Sequence, residues 1–95
     1  AKDESSANRA HVQALIGMSL ARQNKPGAAL EELNAAAETD PNYDMTYVYR
    51  GKVYLVMNEL DRAEEEYRKA LAVKPNSEAA RQALVELSQR RGAAR

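Results

Sequence analysis

Apolar residues recur every three or four positions in five stretches, each ended by a cluster of Asn, Pro, Asp or Gly. Val12, Leu15, Ile16 and Leu20 form the first stripe, which Ser19 and Gln23 continue. This predicts a helix capped by Ser6 or Asn8, after a polar tail over residues 1–7. Gln23 to Gly27 breaks the pattern, since Asn24 tolerates the left-handed conformation and Pro26 suits a first helical turn. A second helix is predicted from Pro26 to Glu38, with Ala29, Leu30, Leu33, Ala36 and Ala37 facing inward. A third is predicted from Tyr43 to Met57, capped by Asn42, with Asp44 favourably placed for the helix dipole. It carries Tyr47, Gly51, Tyr54 and Leu55 on one stripe, and Asn58-Glu59 makes the next turn. The fourth, Leu60 to Val73, presents Leu60, Ala63, Tyr67, Ala70 and Leu71 inward. A fifth, Ser77 to Arg90, aligns Ala80, Ala83, Leu84 and Leu87, its other faces being polar.

The stretches are not independent. Gly17, Ala29, Leu33, Ala36 and Pro41-Asn42 each find a counterpart 34 residues later, at Gly51, Ala63, Tyr67, Ala70 and Pro75-Asn76. Leu20 and Asn24 are answered by Tyr54 and Asn58, and Asn42 has an earlier copy at Asn8. A fixed period of this length marks a stack of similar helix pairs. Gly17 and Gly51 fall where two helices of a pair approach closely, opposite Ala29 and Ala63. Leu33 and Tyr67 are expected to fill the space between one pair and the next.

Ninety-five residues make one domain, and the apolar content is rich in Ala with no Phe or Trp, which suits closely packed helices. Fourteen basic residues balance fourteen acidic ones, so no net field draws the chain to nucleic acid or an anionic membrane. Without cysteine there is no disulfide or thiolate site. No apolar run approaches the roughly 20 residues needed to span a bilayer.

The second repeat reads Tyr47-x-x-Arg50-Gly51-x-x-Tyr54, then Ala63-x-x-x-Tyr67, Ala70 and Pro75. This resembles the tetratricopeptide repeat, W-x-x-L-G-x-x-Y followed by A-x-x-x-F and a late proline. The first repeat is looser: Ile16-Gly17-x-x-Leu20, Ala29-x-x-x-Leu33, Ala36 and Pro41, with Gln13 where an aromatic is usual. The match covers residues 10 to 77. It implies an all-α fold, a right-handed α-α superhelix of two helix-turn-helix repeats (8–42 and 43–76) and a capping helix (77–91), with tails at 1–7 and 92–95. Arg50 departs from the pattern. It is expected either to snorkel past Tyr47 or to pair with an acid on a neighbouring helix.

In the resembling family the first helix of each pair lines a concave face that binds peptides or partner helices. Carried over by register, that face comprises His11, Ala14 and Met18, then Met45, Val48, Tyr49 and Lys52, then Gln82 and Glu86. Val48 and Tyr49 lie off the core stripe and are expected to be exposed beside Met45. Some members clamp a C-terminal carboxylate, but the matching positions are Ala14, Met18, Tyr49, Ala79 and Ala83, none of which holds an anion. An apolar or mixed protein ligand is expected instead, with no cofactor, nucleic acid or membrane insertion.

His11 is the one histidine and has neither a second ligand nor a nucleophile within reach of the pattern, so no metal or catalytic role is expected. The glycines are too dispersed for a phosphate loop. Glu64, Glu65 and Glu66 read as a solvated helix face, with Glu64–Arg68 and Glu65–Lys69 in the favourable i,i+4 order. Arg81, Arg90, Arg91 and Arg95 read as a solvated cap without aromatics for stacking on bases. The leading expectation is a non-catalytic interaction module. The alternative is a structural or self-associating segment of a larger scaffold, because two repeats and a cap bury little core.

Overall fold

Two turns built alike set the frame. In the computed structural model, which describes residues 4–93, Asn24 and Asn58 adopt positive φ of 63° and 62°. Each closes a Schellman motif. The Lys25 amide donates to the Leu20 carbonyl at 3.0 Å, and the Glu59 amide to Tyr54 at 2.8 Å. These turns join α1 (Glu4–Arg22) to α2 (Pro26–Thr39) and α3 (Asp44–Val56) to α4 (Leu60–Val73), and α5 (Glu78–Ala93) follows. Among the described residues all regular structure is helical.

The helices pack α1 on α2 and α3 on α4, with α2 and α1 both touching α3, and α4 and α3 both touching α5. Gly17 and Gly51 make the pairs close. A Cβ at Gly17 would stand 2.8 Å from Leu33 Cγ and 3.2 Å from the Ala29 carbonyl oxygen. One at Gly51 would stand 2.8 Å from Tyr67 Cδ1. Leu33 and Tyr67 therefore lie over the glycines of their own pairs. Tyr67 also reaches forward into a core with Tyr47, Val48, Ala63, Ala70, Ala80, Ala83 and Leu87. A second cluster joins Ala10, Ala14, Ala29, Leu33, Ala36 and Val53.

Several expectations change. α1 already runs from Glu4, so Ser6 and Asn8 sit inside it rather than at its cap, and residues 4–7 are helical. Residues 1–3, 94 and 95 lie outside the described part. Asn42 is not the cap of α3. Its amide donates to Asp40 Oδ1 at 3.1 Å, and Tyr43 takes the cap position without a side-chain bond. Val12, Leu15 and Ile16, expected inside, are 53%, 46% and 45% exposed. The face of α1 that is buried consists of Ala10, Ala14 and Gly17, because only small residues allow the approach to α2.

Asp44 has a role beyond the helix dipole. It is buried and accepts a 2.6 Å hydrogen bond from Ser77 Oγ, which itself accepts from the Ala80 amide at 3.2 Å as the cap of α5. One hydroxyl thus fixes the start of α5 to the start of α3. Ser77→Ala is expected to cost about 2–3 kcal/mol in urea denaturation, combining a lost cap with a buried carboxylate stripped of its donor. Asp44→Ala with Ser77→Ala should then lose much less than the sum of the single changes.

Candidate functional site

The first helices of successive pairs, α1, α3 and α5, touch one another in turn and line one side of the stack. Of the residues expected on that side, Lys52, Gln82, Glu86 and His11 are exposed, while Met18, Met45 and Tyr49 are half-buried. Met45 packs at the edge of the α3–α5 core and Tyr49 at the edge of the α1–α2 cluster. Each therefore keeps part of its side chain at the surface.

Ala14 and Val48 are corrections, since both are fully buried. The reason is the contact between first helices. A residue off the stripe that faces its own pair is covered by the next pair, and Val48 shares the core with Ala80, Ala83 and Leu87. Ala14 is closed in beside Val53 of α3. The accessible face is therefore His11, Met18, Met45, Tyr49, Lys52, Gln82 and Glu86.

Sequence reasoning missed Tyr43. Its hydroxyl lies 2.6 Å from His11 Nδ1, with the rings edge to face at 5.8 Å. Burial raises the Tyr43 phenol above its ordinary value, with smaller contributions from Tyr49 and Asp44. Tyr43 thus joins His11 to the edge of the α1–α2 cluster, on which Tyr49 also packs. The signal available was its register, 34 residues before Ser77, which marks it as a helix-start position. Further along, burial pushes the Tyr67 phenol up to about 12, and Glu86 adds to the rise. The Tyr67 hydroxyl is buried without a hydrogen-bond partner.

The outer side is ion-paired. Glu66, expected to be solvated, is buried and pairs with Arg50 Nε at 2.9 Å. Lys69 approaches Glu66, not Glu65, at 3.6 Å. Arg50 takes the second of its expected alternatives: it pairs with an acid of α4 and, with its side chain 13% exposed and its guanidinium 5.4 Å from the Tyr47 ring centre, does not snorkel to solvent. Glu64 pairs with Arg68 as expected, and that bond holds its carboxyl below the usual range. Arg91 is not a solvated cap residue. It reaches Asp61 and Glu64, both at 3.0 Å, and so pins α5 to α4 beside a cavity of about 330 Å³. Among the described residues no three His, Asp or Glu converge as a metal site, and no helix is long and apolar enough to cross a membrane.

The tetratricopeptide repeat family model matches residues 20–87, and the chain belongs to that family. It is a helical-repeat protein-interaction module with the family's right-handed α-α superhelix. Its fold is shared with the second such domain of Spaghetti (RPAP3), solved bound to the HSP90 peptide SRMEEVD. The TM-score is 0.79 at 17% identity, over 96% of this chain and 86% of the other. The peptidyl-prolyl cis-trans isomerase FKBP4 of Bos taurus is 36% identical over 63 residues, and that of Homo sapiens 35%. These stretches cover 66% of this chain but 14% of the isomerases.

Proposed function

We propose that the chain is a non-catalytic module that receives a peptide or a partner helix along the face lined by α1, α3 and α5. The observation that carries this reading is the row Met18, Met45, Tyr49 and Lys52, with Gln82 and Glu86 beyond it. Thioether and aromatic surface alternates there with single charges of both signs. Such a surface adapts to mixed side chains, Met by flexibility and Tyr by offering area at low entropic cost. The fold neighbour's peptide ends in Glu-Glu-Val-Asp, three acids and a valine. Here the positions that would clamp a carboxylate are Ala14, Met18, Tyr49, Ala79 and Ala83, of which Ala14 and Ala83 are buried and none is a cation, so a carboxylate terminus finds no clamp. The ligand fitting this face carries an apolar side chain for Met45 and Tyr49, an acid for Lys52 and a base for Glu86.

Displayed peptides retained by the wild-type domain test this. Tyr49→Ala with Lys52→Glu should weaken their binding by roughly tenfold to a hundredfold while leaving the helical circular dichroism intact. As a direct probe, SRMEEVD and its C-terminal amide should bind equally weakly. Retention that ignores both substitutions would refute the assignment, and a strong preference for the free acid would refute the ligand class.

A further inference from the structure

Val12, Leu15 and Ile16 form an exposed apolar patch on α1. They stand 34 residues before Thr46, Tyr49 and Arg50, and 68 before Ala80, Ala83 and Leu84. On α3 those positions face the preceding pair. Thr46 is fully buried, Tyr49 packs on the α1–α2 cluster, and Arg50 Nη1 donates to Asn34 of α2 at 2.8 Å. On α5, Ala80 and Ala83 lie in the α3–α4 core. The α1 patch continues by register an interface used twice inside the molecule, here open to solvent.

The link used inside the stack is not formed at this end. The residues 34 positions before the Asp40 to Tyr43 turn, Ser6 to Arg9, are helical. Along the stripe, Glu4, Asn8 and Arg9 lie on one side of the apolar centre, and Ser19, Arg22 and Gln23 on the other, at helical spacings of three and four. We propose that α1 of a second copy covers the patch, antiparallel about a two-fold axis near Gln13 and Ala14. Val12 of each copy then meets Leu15 and Ile16 of the other, Glu4 meets Arg22, and Arg9 meets Ser19. A parallel arrangement would set Glu4 on Glu4 and Arg9 on Arg9.

Among the described residues, α5 at the opposite end exposes one large apolar side chain where α1 exposes three. Val85 occupies the register of Gly17 and Gly51, is 55% exposed and lies among Gln82, Glu86 and Gln89. Copies therefore close into a dimer rather than extending head to tail. The patch is small, so the dimer is concentration-dependent. It is independent of what the concave face binds.

Sedimentation equilibrium of the whole chain into the millimolar range is the test. Dimers are expected, and Ile16→Lys should weaken them about a hundredfold without loss of helicity, because it buries a charge twice by symmetry. Glu4→Arg and Arg22→Glu should each weaken dimers about tenfold, and the two together should restore them. A strict monomer, a dimer indifferent to Ile16→Lys, or a charge swap that does not restore association would each overturn the proposal.

Discussion

Gly51→Val is expected to cost at least about 3 kcal/mol, a large fraction of the stability of a domain this size. A Cβ at this position would lie 2.8 Å from Tyr67 Cδ1 and 3.0 Å from Cζ, closer than real Cβ contacts run, and valine adds two further methyls. The ring has nowhere to go, because Tyr67 is fully buried between α3 and the core residues Ala80, Ala83 and Leu87. The helix must then move off its partner. Overpacking of this kind typically costs about 1–3 kcal/mol for ordinary insertions, and a β-branched side chain against an aromatic belongs at or above the top of that range. Valine's better helix propensity offsets only about 0.3–0.5 kcal/mol. Gly27→Ala provides the contrast, since nothing lies within 4 Å of its added methyl. That change should stay within about 0.5 kcal/mol of wild type, near the helix start where propensity counts least. Both are read from urea denaturation, and a stable Gly51→Val would mean that the helix pair tolerates separation.

The same two glycines explain why the fold was legible. The 34-residue recurrence of Gly17 and Gly51, with Asn24 and Asn58 at the turns, encodes local geometry that few other residues satisfy. Glycine permits the close approach, and asparagine is one of the few side chains that readily takes positive φ. Helix boundaries were less legible. Ser6 and Asn8 have good capping chemistry, yet nothing in their local sequence says whether the helix has already begun. Ser77 became a cap, while its register equivalent Tyr43 could not, so the two pairs start by different means.

The site was half legible for a related reason. Periodicity reports that a face is apolar, not what covers it. Val12, Leu15 and Ile16 carry a core-like stripe and remain exposed, whereas Val48, off its own pair's stripe, is enclosed by the next pair. Glu66 sits in an acidic run that reads as solvent-facing, and Arg50, 16 residues earlier, draws it into the interior. These are long-range effects, set by which elements stack and invisible to any window of one helix.

Arg50→Leu gives the second large effect, and its sign separates two arguments. Leucine is what the repeat pattern carries at this position, and it is both more apolar and an excellent helix former, which predicts stabilisation. The structure predicts the reverse, a loss of about 3 kcal/mol. Arg50 binds Glu66 through Nε at 2.9 Å and Asn34 through Nη1 at 2.8 Å, with side-chain exposures of 13% for Arg50 and 7% for Glu66. Without the guanidinium, Glu66 keeps only Lys69, at 3.6 Å and largely exposed, and a carboxylate remains in the interior nearly uncompensated. Arg50→Lys should recover part of the loss but not all, since a single ammonium cannot span Glu66 and Asn34 as the planar fork does. Arg50→Leu with Glu66→Leu should return to within about 1 kcal/mol of wild type or exceed it, because buried pairs contribute little beyond a well-packed apolar replacement. Urea denaturation of the single and double variants decides the matter. If Arg50→Leu stabilises on its own, Glu66 reaches water when unpaired, and the bridge between α2, α3 and α4 is not a structural constraint. If only the double variant recovers, the pair fixes how the second repeat seats on the first. A surface built across α1 and α3 then depends on it without touching it.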